Sequence, residues 1–370
     1  MRVGIIGGGQ LGRMLILAGV PLGDTFTVLD PDPHAPAFHL LPDRQRLVAP
    51  FNDPPAVRDL FQRTDVVTFE FENVPPAALD LIESVGAART SPPAGALRVG
   101  QDRGLEKQLF RDVGLAVPDY RLASSPIELE QAVRDVGTPC VVKTRRMGYD
   151  GKGQAVVRSP GDLPAAIALL ALNPFGVIVE SFVAFEREIS IVAVRARDGS
   201  FAAYPIAQNT HERGILRRSL APASTPELQG EAETHARAVM ERLGYAGVLA
   251  IEFFVSGANL LGNEMAPRVH NSGHWTIEGA VCSQFENHLR AITGRPLGET
   301  TMHAGPAAMI NLVGLPRHAA DDLAAIPGAH VHWYGKEARP ERKVGHITLV
   351  GDATRHLAHA EAIAGWTARV

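Results

Sequence analysis

Two glutamates are spaced as ligands for one divalent cation. Glu252 and Glu264 each interrupt an apolar run, at 248–255 and 259–265, and the Ser-Gly-Ala between the runs predicts a β-hairpin. Because the glutamates stand at mirrored places about this turn, we expect them to face each other across the hairpin. Two carboxylates among apolar neighbours repel each other unless a cation lies between them. Oxygen ligands with no cysteine nearby favour Mg²⁺ over Zn²⁺.

Polar residues surround and follow the second glutamate. Asn263 adds a third oxygen beside Glu264, and the loop RVHNSGH supplies Arg268, His270 and Asn271. The opposing interpretation is one surface glutamate followed by a solvated loop. That interpretation has to explain why two carboxylates lie among apolar residues, where an unpaired charge is costly.

The composition is that of a globular protein with two or three domains. The chain has 370 residues, of which 45% are hydrophobic and 21% charged, and its net charge is −4. This charge predicts no general affinity for nucleic acid or an anionic membrane, and no uncharged apolar run reaches the length of a membrane span. The two cysteines, Cys140 and Cys282, cannot build a disulfide framework, which favours a cytoplasmic protein.

The elements before the hairpin begin with a Rossmann-like pattern. A short strand at 3–6 precedes Gly7, Gly9 and Gly12 in the arrangement G-x-G-x-x-G, and Asp30 ends the next strand. This spacing is typical of dinucleotide-binding units, so an NAD-dependent oxidoreductase is one alternative. The N–H groups at a helix start favour any anion, however, and glycines at a helix start with ordinary loop acids are a further alternative.

Two more segments of the first half are placed to contact ligands. Glu70 follows a buried strand at 66–69, at the edge where open parallel sheets bind ligands. In the next helix Leu105 belongs to a predicted apolar stripe, while Arg103 and Lys107 are four residues apart on one face. Spacing alone does not decide whether these two cations hold a phosphate or are solvated.

A glycine-rich basic turn, TRRMGYDGKGQ, begins just after Lys143 at the end of a predicted strand. Its backbone N–H groups suit phosphate oxygens, so we interpret it as a lid over a nucleotide rather than a plain hairpin. It is not a Walker A loop, because no Lys-Ser/Thr pair follows the glycines at the required spacing. Further on, the backbone of 180–183 could hold an adenine edge, and Glu188 could accept ribose hydroxyls.

Two later segments complete the set. The residues 208–212, which include His211, are predicted to follow a strand, and the absence of a second histidine excludes a zincin. Near the C-terminus HWYGKEARPERKVGH carries clustered basic residues, among them Lys336 and Arg342. Such a cluster either binds phosphate in a cleft or forms a solvated basic loop.

Taken together, glycine-rich anion loops, a carboxylate pair and separated cations are the parts that phosphoryl transfer needs. Through KTRRMGYDGKGQ, ESFV, NEMAPRVHNSGHWT and HWYGKEARPERKVGH the chain resembles the ATP-grasp ligases, and among them the family that carboxylates 5-aminoimidazole ribonucleotide. The resemblance implies an ATP-grasp fold of the α/β and α+β classes. A Rossmann-like parallel-sheet domain is expected at 1–100, the ATP-grasp domain at 101–295 with a lid around 120–185, and a small β-rich domain at 296–370.

The resemblance also implies a role for each motif residue. The metal, Mg²⁺ or alternatively Mn²⁺, is expected on Glu252 and Glu264. The expected ATP contacts are Arg103, Lys143, Gly148, Tyr149, Asp150, Gly151, Lys152, Gly153, Gln154, Glu180, Ser181, Phe182, Val183, Glu188, His211, Asn263 and Glu264. The expected ribonucleotide contacts are Glu70, Tyr149, Asp150, Lys336 and Arg342. The carboxylation centre is expected at Arg268, His270 and Asn271.

The implied reaction joins bicarbonate to 5-aminoimidazole ribonucleotide with ATP, through carboxyphosphate, and gives ADP and phosphate in purine biosynthesis. The implied protein is a cytoplasmic homodimer with no nucleic-acid or membrane partner, and its first glycine loop serves the ribonucleotide site rather than NAD. Three alternatives stay open. They are another ATP-grasp ligase such as a formate-dependent glycinamide ribonucleotide transformylase, an NAD-binding oxidoreductase, and a nucleotide-binding regulator without turnover.

Overall fold

A parallel sheet opens the chain. The computed structural model describes residues 1–148, 152–171, 173–303 and 305–366. The first strands are β1 (Arg2–Ile6), β2 (Thr25–Asp30), β3 (Arg46–Val48) and β4 (Val66–Phe69), and the first helices are α1 (Gln10–Gly19), α2 (Pro54–Arg63), α3 (Pro76–Gly86) and α4 (Ala94–Gly100). The strands pair in the order β3-β2-β1-β4, all parallel. Ile6 pairs with Leu29 on one side and Phe69 on the other, so the residues that follow these strands meet at one sheet edge.

A second four-stranded sheet is antiparallel, and we call it the small antiparallel sheet. Its strands are β5 (Tyr120–Ala123), β6 (Cys140–Thr144), β7 (Gln154–Val157) and β8 (Val177–Ser181), and the helices of this part are α5 (Arg103–Asp112), α6 (Pro126–Val136) and α7 (Leu163–Ala171). The strand order is β5-β8-β6-β7. Buried residues of β6 and β8 form one core with Leu129 of α6 and Ala166 of α7, so this part has its own small core.

The third sheet is the largest and carries the predicted metal ligands. Its strands are β9 (Arg187–Arg195), β10 (Phe201–Ala203), β11 (Ala207–Glu212), β12 (Ile215–Ala221), β13 (Gly247–Ser256), β14 (Asn259–Ala266), β15 (Ala307–Val313), β16 (Ala329–Trp333) and β17 (Lys343–Val350). The order is β14-β13-β9-β11-β12-β15-β17-β16, with β10 beside β9. The C-terminal strands β15, β16 and β17 therefore belong to this third sheet, which we call the central sheet.

The remaining helices flank this sheet. They are α8 (Gln229–Arg242), α9 (Thr276–Gly279), α10 (Gln284–Thr293), α11 (Ala319–Ala324) and α12 (Leu357–Ile363). Ser283 caps α10 by accepting a hydrogen bond from the Glu286 N–H, and Gly294 ends that helix at φ +75°. Among the described residues, no helix has both the length and the apolar character needed to cross a membrane.

The predicted hairpin is confirmed as β13 and β14. Glu252 pairs directly with Glu264 in the ladder. The register shifts just beyond this pair, because Phe253 pairs with Gly262 and leaves Asn263 as an extra residue in β14. This bulge bends the strand at the two predicted ligands, a device that re-aims side chains at sites.

Two local predictions are wrong. The segment 208–212 lies within β11 rather than after a strand. In α5 the predicted apolar stripe includes Leu105, but Leu105 is 46% exposed while Lys107 is completely buried. The buried face of α5 is partly charged because it packs against polar backbone atoms of β14, as described below.

Candidate active site

One cavity, of about 570 Å³, lies between the small antiparallel sheet and the central sheet. This volume is within the range of sites for nucleotide-sized ligands. Among the described residues it collects every predicted ATP, metal and carboxylation residue, namely Arg103, Lys143, Gly148, Lys152, Gly153, Gln154, Glu180, Ser181, Phe182, Val183, Glu188, His211, Glu252, Asn263, Glu264, Arg268, His270 and Asn271. Tyr149, Asp150 and Gly151 lie outside the residues that the structure describes.

The carboxylate pair lies on one wall of the cavity. Glu252 is 7% exposed, and burial raises the pKa of its carboxyl to about 7, with the carboxylates of Glu264 and Glu188 adding to the rise. Burial also acts on Glu264, but the cations Arg103, Lys143 and His211 together outweigh it and lower the pKa of that carboxyl. Arg103 Nη1 lies 3.2 Å from Glu264 Oε2. Glu264 is thus paired with an arginine, whereas the strongest cationic influence on Glu252 comes from His211.

Neighbouring strands of the central sheet bring two more groups to the pair. β9 lies between β11 and β13, so Glu188, His211 and Glu252 come from three adjacent strands, and their ligand atoms lie within 4.8 Å of one another. His211 Nδ1 lies 2.6 Å from Glu188 Oε2. The angles of this contact do not suit a hydrogen bond, so we describe it as an ion pair. Although burial lowers the pKa of His211, Glu188 raises it to about 9, and the imidazole is therefore a cation at neutral pH.

The opposite wall carries a lysine and a buried carboxylate. Lys143 Nζ lies 2.8 Å from Glu180 Oε2, and both residues belong to the small antiparallel sheet. Burial alone would raise the pKa of the Glu180 carboxyl, but Lys107 and Lys143 hold it at about 2. Glu180 is therefore an anion throughout the physiological range, at the predicted adenine side of the cavity.

Three polar side chains lie at the end of the cavity beyond the pair. Arg268 Nε donates a hydrogen bond to Glu72 Oε2, and the attraction between the two charges lowers the pKa of Glu72 and raises that of Arg268, so both groups are ionised. Burial and the nearby Arg268 cation lower the pKa of His270 to about 3, so this imidazole is neutral. The Asn271 Nδ2 group is buried without a hydrogen-bond partner among the described residues. This end of the cavity therefore presents a cation and an unused donor, which suit an anion.

The predicted ribonucleotide residues Glu70, Lys336 and Arg342 do not line this cavity. Glu70 follows β4 at the edge of the parallel sheet, and Lys336 is close enough to interact electrostatically with both Glu70 and Arg342. Lys336 Nζ also donates to Gln10 Oε1 of α1. Burial lowers the pKa of Lys336 to about 8, against the opposing effect of the Glu70 carboxylate.

The anion-binding position of the first glycine loop is occupied by a side chain of the protein itself. Glu70 Oε2 accepts a hydrogen bond from the Gly12 N–H, 3.1 Å away, at the N-terminus of α1. A Cβ atom on Gly9 would lie 2.3 Å from Glu70 Oε1, so the glycine is needed to admit this carboxylate. A dinucleotide would place its pyrophosphate at the same helix start, which the Glu70 carboxyl group already occupies. This arrangement weighs against the NAD-binding alternative.

Three residues at the site were missed or given no role from sequence. Lys107 and Glu106 contact the backbone of β14, and Glu72 contacts Arg268. The local signals were a charged pair next to apolar helix residues, for Glu106 and Lys107, and a position just after a buried strand, for Glu72. Their partners lie 155 to 196 residues away in the chain, so no window of sequence contains both members.

Three domain families match successive parts of the chain. The ribonucleotide synthetase preATP-grasp domain matches residues 1–101, and the ATP-grasp domain matches residues 108–285. The phosphoribosylaminoimidazole carboxylase C-terminal domain matches residues 307–360.

Whole proteins match as well. The N5-carboxyaminoimidazole ribonucleotide synthase of Pseudomonas aeruginosa is 48% identical over 94% of this chain and 94% of that protein. The enzyme of the same name from Brucella melitensis is 42% identical over 95% of this chain and 97% of that protein.

Solved structures of such enzymes share the fold over the full length. The synthetase from Thermus thermophilus has a TM-score of 0.89 at 48% identity, covering 100% of this chain and 99% of that one. The Aspergillus clavatus enzyme, in complex with ADP and 5-aminoimidazole ribonucleotide, has a TM-score of 0.89 at 31% identity and covers 98% of both chains. In sequence, domain order and fold, the chain belongs to the N5-carboxyaminoimidazole ribonucleotide synthases, a family of ATP-grasp ligases.

Proposed function

We propose that this chain uses ATP and bicarbonate to carboxylate the exocyclic amine of 5-aminoimidazole ribonucleotide, and that ADP and phosphate are released. The observation that carries the proposal is the single cavity that joins a carboxylate pair to Arg268, His270 and Asn271. A nucleotide phosphate held at the pair would lie next to a cationic pocket for a second, small anion. Bicarbonate has the charge and size that such a pocket suits.

The residues present fit a divalent cation. Glu252 and Glu264 supply hard oxygen donors, and Asn263 Oδ1 is buried without a hydrogen-bond partner among the described residues. The raised pKa of Glu252 reflects burial and repulsion between carboxylates, which a cation would relieve. We therefore assign Mg²⁺, or alternatively Mn²⁺, to these residues. When bound, such an ion neutralises the charge that develops on transferring phosphate oxygens.

The chain's own residues hold the nucleotide around that site. Arg103 and Lys143 are the cations placed for the phosphates, with the N–H groups of Gly148, Lys152, Gly153 and Gln154 as further donors. The backbone of Glu180, Ser181, Phe182 and Val183 takes the adenine edge. Glu188 and His211 take the ribose side. Lys143 exchanges its contact with Glu180 for a phosphate oxygen when the nucleotide enters.

The first chemical step is the attack of a bicarbonate oxygen on the γ-phosphorus of ATP. The bond from that phosphorus to the bridging oxygen breaks, ADP leaves, and carboxyphosphate is formed. Arg268 faces the negative charge of this intermediate, and Glu72 fixes the guanidinium in place. The neutral His270 lies with its Nε2 3.9 Å from Glu252 Oε1, between the pair and the arginine.

In the second step the amine nitrogen attacks the carboxyl carbon, the bond from that carbon to the phosphate oxygen breaks, and phosphate leaves with the proton that the amine gives up. The ribonucleotide enters from the edge of the parallel sheet, where Lys336 and Arg342 bind its phosphate and Glu70 accepts from its hydroxyl groups. Both proposed reactant sites meet at Arg268, because Glu72, its partner, follows the same strand as Glu70. Closure of the cavity over carboxyphosphate would exclude water, which protects a labile intermediate.

We also propose that the enzyme works in the cytoplasm as a homodimer. Support for the compartment comes from two cysteines that are buried and free, as in reducing surroundings. The dimer rests on the family resemblance, and sedimentation equilibrium tests it. A monomer at micromolar concentration would contradict it.

The test of the proposed function is ADP release from the purified chain with three sets of reactants. We expect fast release with bicarbonate and 5-aminoimidazole ribonucleotide, and little with formate and glycinamide ribonucleotide. Release that depends on formate would favour the transformylase alternative. The third set omits the ribonucleotide and measures how far carboxyphosphate formation depends on the second substrate.

A further inference from the structure

Lys107 is completely buried, yet it lies outside the substrate contacts assigned above. Lysine is among the residues least often found fully buried, and burial of its charge requires partners. Its Nζ group lies 3.0 Å from Gly262 O and 2.7 Å from Asn263 O. It also lies 3.7 Å from Glu180 Oε1. One ammonium group thus contacts the central sheet and the small antiparallel sheet at once.

The two carbonyls belong to the bulge of β14 next to the metal pair. The preceding residue of α5, Glu106, accepts a hydrogen bond from the Met265 N–H, 2.6 Å away. Two consecutive side chains of α5 therefore hold the backbone on both sides of Glu264. Because these contacts are made to backbone atoms, they use none of the side-chain oxygens of Asn263 and Glu264.

The contact with Glu180 extends this arrangement across the cavity. Glu180 is also paired with Lys143, the cation assigned to the phosphates. The Glu180 carboxylate supplies the counter-charge that a buried ammonium requires, and this contact joins the bulge to the opposite wall of the cavity. We propose that Lys107 is a positioning residue that holds the metal-bearing bulge at a fixed distance from the nucleotide-holding wall.

This inference rests on the proposed function, because it assumes that the bulge holds the cation of a nucleotide complex. It predicts that loss of Lys107 weakens the coupling between cation and nucleotide rather than nucleotide binding in general. The readout is the affinity for ADP with Mg²⁺ and with EDTA, measured by isothermal titration calorimetry. ADP binding needs no turnover, so the result does not depend on which carboxyl acceptor the enzyme uses.

We expect Lys107→Met to weaken ADP binding at least tenfold in Mg²⁺ and less than threefold in EDTA. Lys107→Gln restores one amide donor for the bulge carbonyls without the charge, and we expect a smaller loss that is again specific to Mg²⁺. The matched control is Arg111→Met, which removes a half-exposed cation from the same helix, one that contacts Asp119 and Tyr120. This control is expected to bind ADP like the wild type in both buffers.

Equal losses in Mg²⁺ and EDTA, or no loss in either variant, would overturn the positioning role and leave Lys107 a structural residue. If Lys107→Met does not fold, Lys107→Gln decides between the same outcomes. Wild-type protein that binds ADP with Mg²⁺, but forms no ADP from ATP when bicarbonate and the ribonucleotide are supplied, would contradict the proposed function alone. The two failures are therefore distinguishable.

Discussion

Replacement of Glu264 by glutamine separates the metal-ligand role from stability. The substitution keeps the shape of the side chain and removes one of the two charges that face each other across β13 and β14. The side chain is 43% exposed, and its pair with Arg103 is a partly solvated contact at 3.2 Å. Such pairs contribute at most about 1 kcal/mol to the free energy of unfolding. The variant should therefore fold normally.

The expected effect on catalysis is much larger. Removing one preorganised group that stabilises developing charge typically costs about 3–4 kcal/mol of activation free energy. This corresponds to a loss of about 10²–10³-fold in kcat. The assay is ADP release at saturating Mg²⁺ and substrates, with thermal unfolding measured on the same preparation.

The control is Glu286→Gln, which neutralises a glutamate of α10 paired with Arg290 outside the cavity. We expect wild-type turnover from it. If Glu264→Gln kept kcat within threefold of wild type while the control behaved as expected, the metal-ligand assignment would be wrong. A large loss of stability without a loss of kcat in the folded fraction would contradict it equally.

Three further substitutions or conditions test the other groups. Lys336→Ala should raise the KM for the ribonucleotide by about 10–100-fold, which is the usual effect of losing a charge-assisted hydrogen bond. The KM for ATP should stay within twofold of the wild-type value. Equal effects on both constants would place the C-terminal basic loop elsewhere. Because the pKa of Lys336 is lowered to about 8, its ammonium is lost as pH rises, so the KM for the ribonucleotide should increase roughly tenfold between pH 8 and pH 9.5. Lys336→Arg, whose charge persists, should flatten that profile, and a wild-type KM independent of pH would rule out the role of this proton. Glu72→Gln removes the negative charge that holds Arg268, so it should lower kcat about 10–100-fold with little change in the KM for ATP. An unchanged kcat would show that Arg268 needs no such partner.

The hairpin and its two glutamates could be predicted because the information is local. Two apolar runs and the short turn between them lie within 20 residues, so the facing of Glu252 and Glu264 follows from strand geometry. The bulge at Asn263 could not be predicted, because one extra residue in a strand leaves no mark on composition. The family motifs then carried the assignments that geometry alone left open.

Contacts between distant segments could not be predicted in the same way. The helix pattern treated Leu105 as core and left Lys107 as either a phosphate contact or a solvated cation, whereas Leu105 is exposed and Lys107 is buried. An amphipathic stripe indicates the core only where the neighbour is apolar, whereas α5 packs against bare carbonyls of β14. Similarly, Lys336 meets Gln10 across 326 residues of chain, which the spacing within either loop does not indicate.

The most direct test of the proposed reaction follows the carboxyl group itself. Wild-type enzyme is given ¹³C-bicarbonate, ATP, Mg²⁺ and 5-aminoimidazole ribonucleotide, and the ¹³C spectrum is recorded while ADP is measured. We predict a new carbamate carbon on the ribonucleotide, formed in equal amount with ADP. ADP release without any labelled carbamate, or with label only in the presence of another acceptor, would contradict the proposed reaction.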